Sequence, residues 1–229
     1  MKKTIIALLA PALGVAPAFA GDVSAPIQSP PPTAANNYGL SPYIGVSGIY
    51  GEFEEVTETE AYDVAGVRVN GGLGFGNGFS IDGQYEHVEG DISIKSDEFR
   101  ALLNYEQAIA RGFSLFGGIG YGWLSQEASV EGELLEFSGN GILLNAGANF
   151  SSGRLFGSLV YTHCLTQSFE LDGSKDYELV EEDLGYFEVS IGYNINEQLA
   201  ATLAVETQVT GDTIIDKNWV AALGLQYKF

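Results

Sequence analysis

The sequence predicts an all-β fold, an antiparallel up-and-down transmembrane β-barrel with ten strands favoured and eight as the alternative. Three observations carry this. From Pro42 to Phe229 the chain falls into segments of about ten residues in which apolar and polar side chains alternate with period two. Short turns rich in Gly and Asn alternate strictly with longer polar connections. Beyond the N-terminus no stretch approaches the ~18 consecutive apolar residues of a membrane-spanning helix, so apolar faces that meet lipid must do so on strands.

Residues 1–20 read as a signal peptide: Met1-Lys2-Lys3 is a basic start, an apolar run follows, and Ala18-Phe19-Ala20 fits a small-x-small cleavage site before Gly21. Residues 21–39 hold Pro26, Pro30, Pro31, Pro32 and Asn36-Asn37, which suit an extended periplasmic tether and neither a ladder nor a core. The barrel domain is expected over 40–229. Cys164 is the single cysteine, so no internal disulfide forms, and its parity with Thr162 makes it a small buried hydrophobe. Thirty acidic residues against ten Lys and Arg give a formal charge of −20, which excludes nucleic acid as a partner.

Strands are expected near 42–52, 62–75, 79–89, 97–108, 113–124, 138–150, 155–165, 183–195, 199–209 and 218–229. The turns at 76–78, 109–112, 151–153 and 196–198 fall at one end with both termini, and the connections 53–61, 90–96, 125–137, 166–182 and 210–217 at the other. Parity assigns the outward faces: Val67, Val69 and Leu73; Phe79 and Ile81; Phe99 and Leu103; Leu115 and Ile119; Val189 and Ile191. Tyr85, Tyr105, Tyr121, Trp123, Tyr193, Trp219 and Tyr227 are expected to form the aromatic girdles at the membrane interfaces.

The opposite parity is polar or tiny. Arg68, Glu86, Arg100, Glu188 and Glu206 lie at similar heights above the short turns, and are expected to form one charge belt inside the lumen, as gate or as packing. Arg68 and Arg100 would be clamped by Glu86, with Glu188 and Glu206 facing them. Gly72, Gly74, Gly118, Gly120 and Gly122 complete no phosphate-binding motif and instead relieve crowding in a narrow barrel.

Two connections concentrate acid: Glu52, Glu54, Glu55, Glu58, Glu60 and Asp63 flank the first, and Glu170, Asp172, Asp176, Glu178, Glu181, Glu182 and Asp183 the fourth. The favoured reading is a solvated, self-repelling surface. The sharper one is attraction of divalent cations that bridge lipopolysaccharide phosphates, although 172–178 lacks a complete calcium-loop pattern, and no cofactor is expected.

In the last strand Leu223, Leu225, Tyr227 and Phe229 alternate outward and end on an aromatic. With the leader, the alternation and the turn asymmetry, this resembles the small outer-membrane barrels of the opacity-protein and OmpA/OmpX-like superfamily, often labelled porin-family proteins. The resemblance covers about Leu40 to Phe229 and implies residence in the bacterial outer membrane, contact with its lipid and lipopolysaccharide, and recognition of the C-terminal strand by the barrel assembly machinery. A monomer is expected. A count of ten strands departs from the usual eight of that superfamily. Ten strands are also found in the omptin proteases, but their paired Asp and Asp-His residues have no match here, and His87 and His163 have the outward parity of Tyr85 and Tyr161. The sequence is therefore read as a non-enzymatic, surface-structural or interaction barrel. The alternatives are a narrow cation-preferring pore and an interface hydrolase, either a lipid A deacylase or an omptin-like protease.

Overall fold

The computed structural model describes residues 40–55, 61–90, 94–130, 133–172, 183–211 and 215–229. The expected leader and tether lie outside these residues, as do Glu58, Glu60, Asp176, Glu178, Glu181 and Glu182 of the acidic connections.

Ten strands form: β1 (Ser41–Glu55), β2 (Ala61–Gly74), β3 (Phe79–Gly90), β4 (Lys95–Ala110), β5 (Phe113–Val130), β6 (Glu133–Ser152), β7 (Leu155–Asp172), β8 (Leu184–Asn194), β9 (Leu199–Thr210) and β10 (Ile215–Lys228). Each pairs antiparallel with its neighbour in sequence, and β1 pairs with β10 from Tyr43↔Lys228 to Glu55↔Ile215, closing the barrel. Closure leaves no edge along the paired part of the wall.

The four short turns lie at one end. Gly76 (φ 71°), Gly78 (φ 90°), Gly112 (φ 70°) and Gly153 (φ 61°) supply the left-handed residues in three of them, a conformation open to glycine at little cost. In the fourth, Asn196 Oδ1 accepts from the amides of Gln198 and Leu199, each at 2.8 Å.

The strands are longer than expected at the opposite end. Residues 125–137, expected as a loop, are largely ladder, running from Ser125↔Ser138 to Val130↔Glu133, and β7 continues to Asp172. Gln126, Ala128, Leu135 and Phe137 keep the inward period-two pattern, while acidic Glu127 and Glu136 alternate with them and give the stretch a loop-like composition.

The outward face is an apolar band. Ile81, Leu103, Ile119, Leu144, Leu203 and Leu223 stand exposed on successive parts of the wall, with Leu223 at 68%. No helix of the described residues is long and apolar enough to cross a membrane, and the band itself is what lipid would cover. Of the expected girdle residues, Tyr85, Tyr105, Tyr121, Trp123, Tyr193 and Tyr227 are outward and exposed, and Trp219 is half-buried edge-on to Tyr50 at 5.9 Å. Tyr85, Phe99 and Trp123 are register partners in one row; Tyr121 stands one row closer to the short turns, opposite Ala101.

Inside, the lumen is not uniformly polar or tiny as expected. Towards the long-connection end it is filled by an apolar cluster that includes Phe53, Val64, Val88, Ile94, Leu124, Leu135, Phe137 and Leu184. Towards the short turns it is mixed: polar Asp82, Gln84, Asn104, Asn145 and Thr202 share it with Phe116 and Phe156, whose rings lie over Gly147 and Gly192. The charged residues separate these two zones.

Candidate functional site

At mid-height the lumen is crossed by a layer of ion pairs drawn from β2, β3, β4, β8, β9 and β10. Arg68 donates through Nε and Nη2 to Glu86 Oε2, at 2.9 and 2.7 Å, and through Nη1 to Glu188 Oε2 at 2.8 Å. Arg100 bonds across the lumen to both oxygens of Glu206, at 2.8 and 3.0 Å, and through Nε to Glu98 at 2.5 Å. Lys217 Nζ donates to Glu206 at 2.7 Å, Glu86 at 2.9 Å and Glu98 at 3.1 Å. The Arg100 guanidinium lies 4.4 Å from the ring centroid of Tyr186, a cation–π contact made away from water.

All five residues of the expected belt are brought together. The pairing differs from expectation in one respect: Arg100 is bound by Glu98 and Glu206, not by Glu86. Glu98 is its same-face neighbour two residues back on β4, Glu206 reaches it from the far wall, and the second oxygen of Glu86 is taken by Lys217.

Sequence reasoning missed Glu98, Lys217 and Tyr186. Glu98 has lumen parity and lies two residues beyond Arg100; it falls in the same layer because tilted strands stagger heights that a count from the turns treats as level. Lys217 was expected in the fifth long connection. Strict alternation from Trp219 would turn it towards lipid, but the β1–β10 register shifts between Glu52↔Trp219 and Phe53↔Lys217. That bulge skips Asn218, whose Nδ2 donates to Glu52 Oε1 and whose carbonyl accepts from Thr207 Oγ1, both at 2.6 Å, and rotates Lys217 inward. A lysine with lipid-facing parity beside a girdle tryptophan is the sequence signal for such a bulge.

Two features border the layer. Gly122, the register partner of Arg100, carries no side chain, and the Leu143 side chain lies over the spot its Cβ would take. Ile49, Leu143, Cys164, Leu184, Val220 and Ala222 supply buried apolar surface around it. Arg68, Arg100 and Lys217 therefore meet Glu86, Glu98, Glu188 and Glu206 almost out of contact with water; the Glu86 and Glu206 side chains are 2% and 1% exposed, while Glu188 keeps 23%. Charges so enclosed persist only if paired, and each cation here touches at least two carboxylates.

Below the layer Asp82 is a second polar hub, accepting from Tyr43 Oη at 2.9 Å, Ser80 Oγ at 2.6 Å and Asn104 Nδ2 at 2.8 Å. On the outer wall the two histidines keep the expected outward parity. His87 Nδ1 lies 2.9 Å from Asp97, which also accepts from Tyr85, and His163 stacks on Tyr161 with Nε2 3.4 Å from Asp183.

No family model and no curated protein matches the chain. Solved structures with a similar barrel include the translocator domain of autotransporter NalP from Neisseria meningitidis, at 17% identity and TM-score 0.49 over 86% of this chain and 91% of that one. Ail, the attachment invasion locus protein of Yersinia pestis, is similar at 13% identity and TM-score 0.42 over 82% and 98%. The outer membrane protease OmpT from Escherichia coli is similar at 10% identity and TM-score 0.43 over 83% and 96%. These neighbours are outer-membrane β-barrels.

Proposed function

We propose that the chain is an integral outer-membrane barrel with a shut lumen, working as a surface-structural or interaction protein and not as a pore or an enzyme. The single observation that carries this is the stacking of two barriers: a fully paired ion layer at mid-height and, directly above it, the apolar roof around Phe53 and Phe137. A passing ion would have to break the first and dehydrate in the second. In this reading the short turns face the periplasm and the extended β5–β6–β7 ends project outside the cell, where shape and acidic charge serve contacts with lipopolysaccharide, divalent cations or other partners. Outward Leu223, Leu225, Tyr227 and Phe229 on the closing strand support a role as the signal read during assembly. The pairing of His87 and His163 with carboxylates and tyrosines supports interfacial anchoring.

One observation favours the narrow cation-preferring pore as the second reading: the lower lumen presents Asp82 and Glu106 on its wall. Recording from the refolded protein in planar lipid bilayers separates the two. The closed-barrel reading expects no conductance steps at any salt concentration; salt-dependent, cation-selective steps would replace it with the pore.

A further inference from the structure

In the lower lumen the register sets Asn104, Gly118 and Asn145 side by side on β4, β5 and β6. The orientation of the first amide is fixed by its neighbour: Asn104 Nδ2 donates to Asp82 Oδ2 at 2.8 Å, so its Oδ1 points the other way. That oxygen and Asn145 Oδ1 are both buried without a hydrogen-bond partner, and Asn145 as a whole is only 8% exposed. Both oxygens lie over Gly118, where a Cβ would overlap them. Two partial negative charges thus converge on a niche that exists because residue 118 has no side chain. Buried acceptors are rarely left unmet, so the pair calls for a donor or a cation between them.

The surrounding charge selects the kind of occupant. Asp82 is held by three uncharged donors, Tyr43, Ser80 and Asn104. Glu106 follows two residues after Asn104 on the same face of β4 and accepts from Ser114. Arg68, Arg100 and Lys217 are engaged by the carboxylates of the layer above, and Lys228 donates to Asn194 Oδ1 at 3.2 Å. The niche therefore combines neutral hard-oxygen donors with the carboxylates of Asp82 and Glu106 close by. A calcium ion would call for carboxylates in direct contact; two amide oxygens with water completing the shell suit a singly charged ion.

We propose that Asn104 Oδ1 and Asn145 Oδ1 over Gly118 form a binding site for an alkali-metal cation, with the charge of Asp82 behind Asn104. The site does not depend on whether the lumen conducts.

The test uses the full chain refolded in detergent, with thermal unfolding followed in sodium, potassium and choline chloride at equal ionic strength, which separates binding from screening. The expected result is a saturable rise of the wild-type midpoint in sodium or potassium over choline, lost in Asn145→Leu and Gly118→Ala. Equal midpoints in all three salts, or a rise that both variants retain, would overturn the site. Wild-type crystals soaked in a thallium(I) salt give a readout that needs no variant. An anomalous peak between the two amides supports the site. A water there, or an Asn145 amide turned so that Nδ2 donates to Asn104 Oδ1, overturns it. Ion-specific stability without conductance would leave both the site and the closed barrel standing, whereas conductance without ion-specific stability would remove both.

Discussion

Glu86 and Glu98 stand directly opposite one another on β3 and β4, and the Lys217 ammonium bonds to both, at 2.9 and 3.1 Å. Like charges in facing positions destabilise a sheet. The same opposition recurs between Glu188 and Glu206 on β8 and β9, where Arg68 lies 2.8 Å from the first and 3.8 Å from the second. The ladder thus creates two carboxylate pairs, and cations from other strands hold each together. The layer ties opposite walls of the barrel to one another, which the backbone ladder alone does not do.

Replacing Lys217 by Met leaves three buried carboxylates short of a partner. The expected loss is about 3–5 kcal/mol of unfolding free energy, with Glu98→Gln in the same chain recovering part of it. Urea titration of the refolded protein, followed by tryptophan fluorescence, measures both.

Arg100→Lys keeps the charge but removes the two-pronged bond to Glu206 and the flat contact with Tyr186. A cost of about 1.5–3 kcal/mol is expected in the same titration. An unchanged midpoint would mean that the guanidinium geometry is irrelevant.

The apolar roof makes a contrast within one β-arm. Phe137 is 2% exposed and Leu134, three residues earlier on β6, is 52% exposed. Phe137→Ala should cost about 3–5 kcal/mol and Leu134→Ala no more than about 0.5 kcal/mol. Similar losses at the two positions would show that the arm does not pack over the lumen.

On the outer wall, Leu203→Arg places a charge in the middle of the apolar band and should cost about 2–4 kcal/mol for folding into bilayers. Folding yield and unfolding free energy in vesicles check this. A tolerated arginine would place Leu203 outside the lipid.

Most of the wall was legible because period-two alternation over ten segments leaves little choice of register once one face must be apolar. Arg68, Glu86, Arg100, Glu188 and Glu206 followed from that parity. Lys217 did not, because a bulge at Asn218 breaks the parity locally, and the cause lies in a pairing with Glu52 that is remote in sequence. The ladder beyond Ser125 was hidden by the acids that alternate with Gln126, Ala128, Leu135 and Phe137. Composition there described the solvent face, and burial depended on Phe53, Val64 and Leu184 arriving from other strands.

The central claim is that cations and carboxylates from opposite walls meet inside the barrel and shut it. Solid-state NMR on protein labelled at lysine Nζ and glutamate Cδ, in lipid, tests it most directly, because Lys217 Nζ on β10 lies 2.9 Å from a Glu86 oxygen on β3 and 3.1 Å from a Glu98 oxygen on β4. Strong dipolar dephasing of the Lys217 signal by glutamate Cδ, weakened in Glu86→Gln and in Glu98→Gln prepared without that label, is the predicted result. A Lys217 signal with no glutamate contact and free exchange with bulk water would contradict the account.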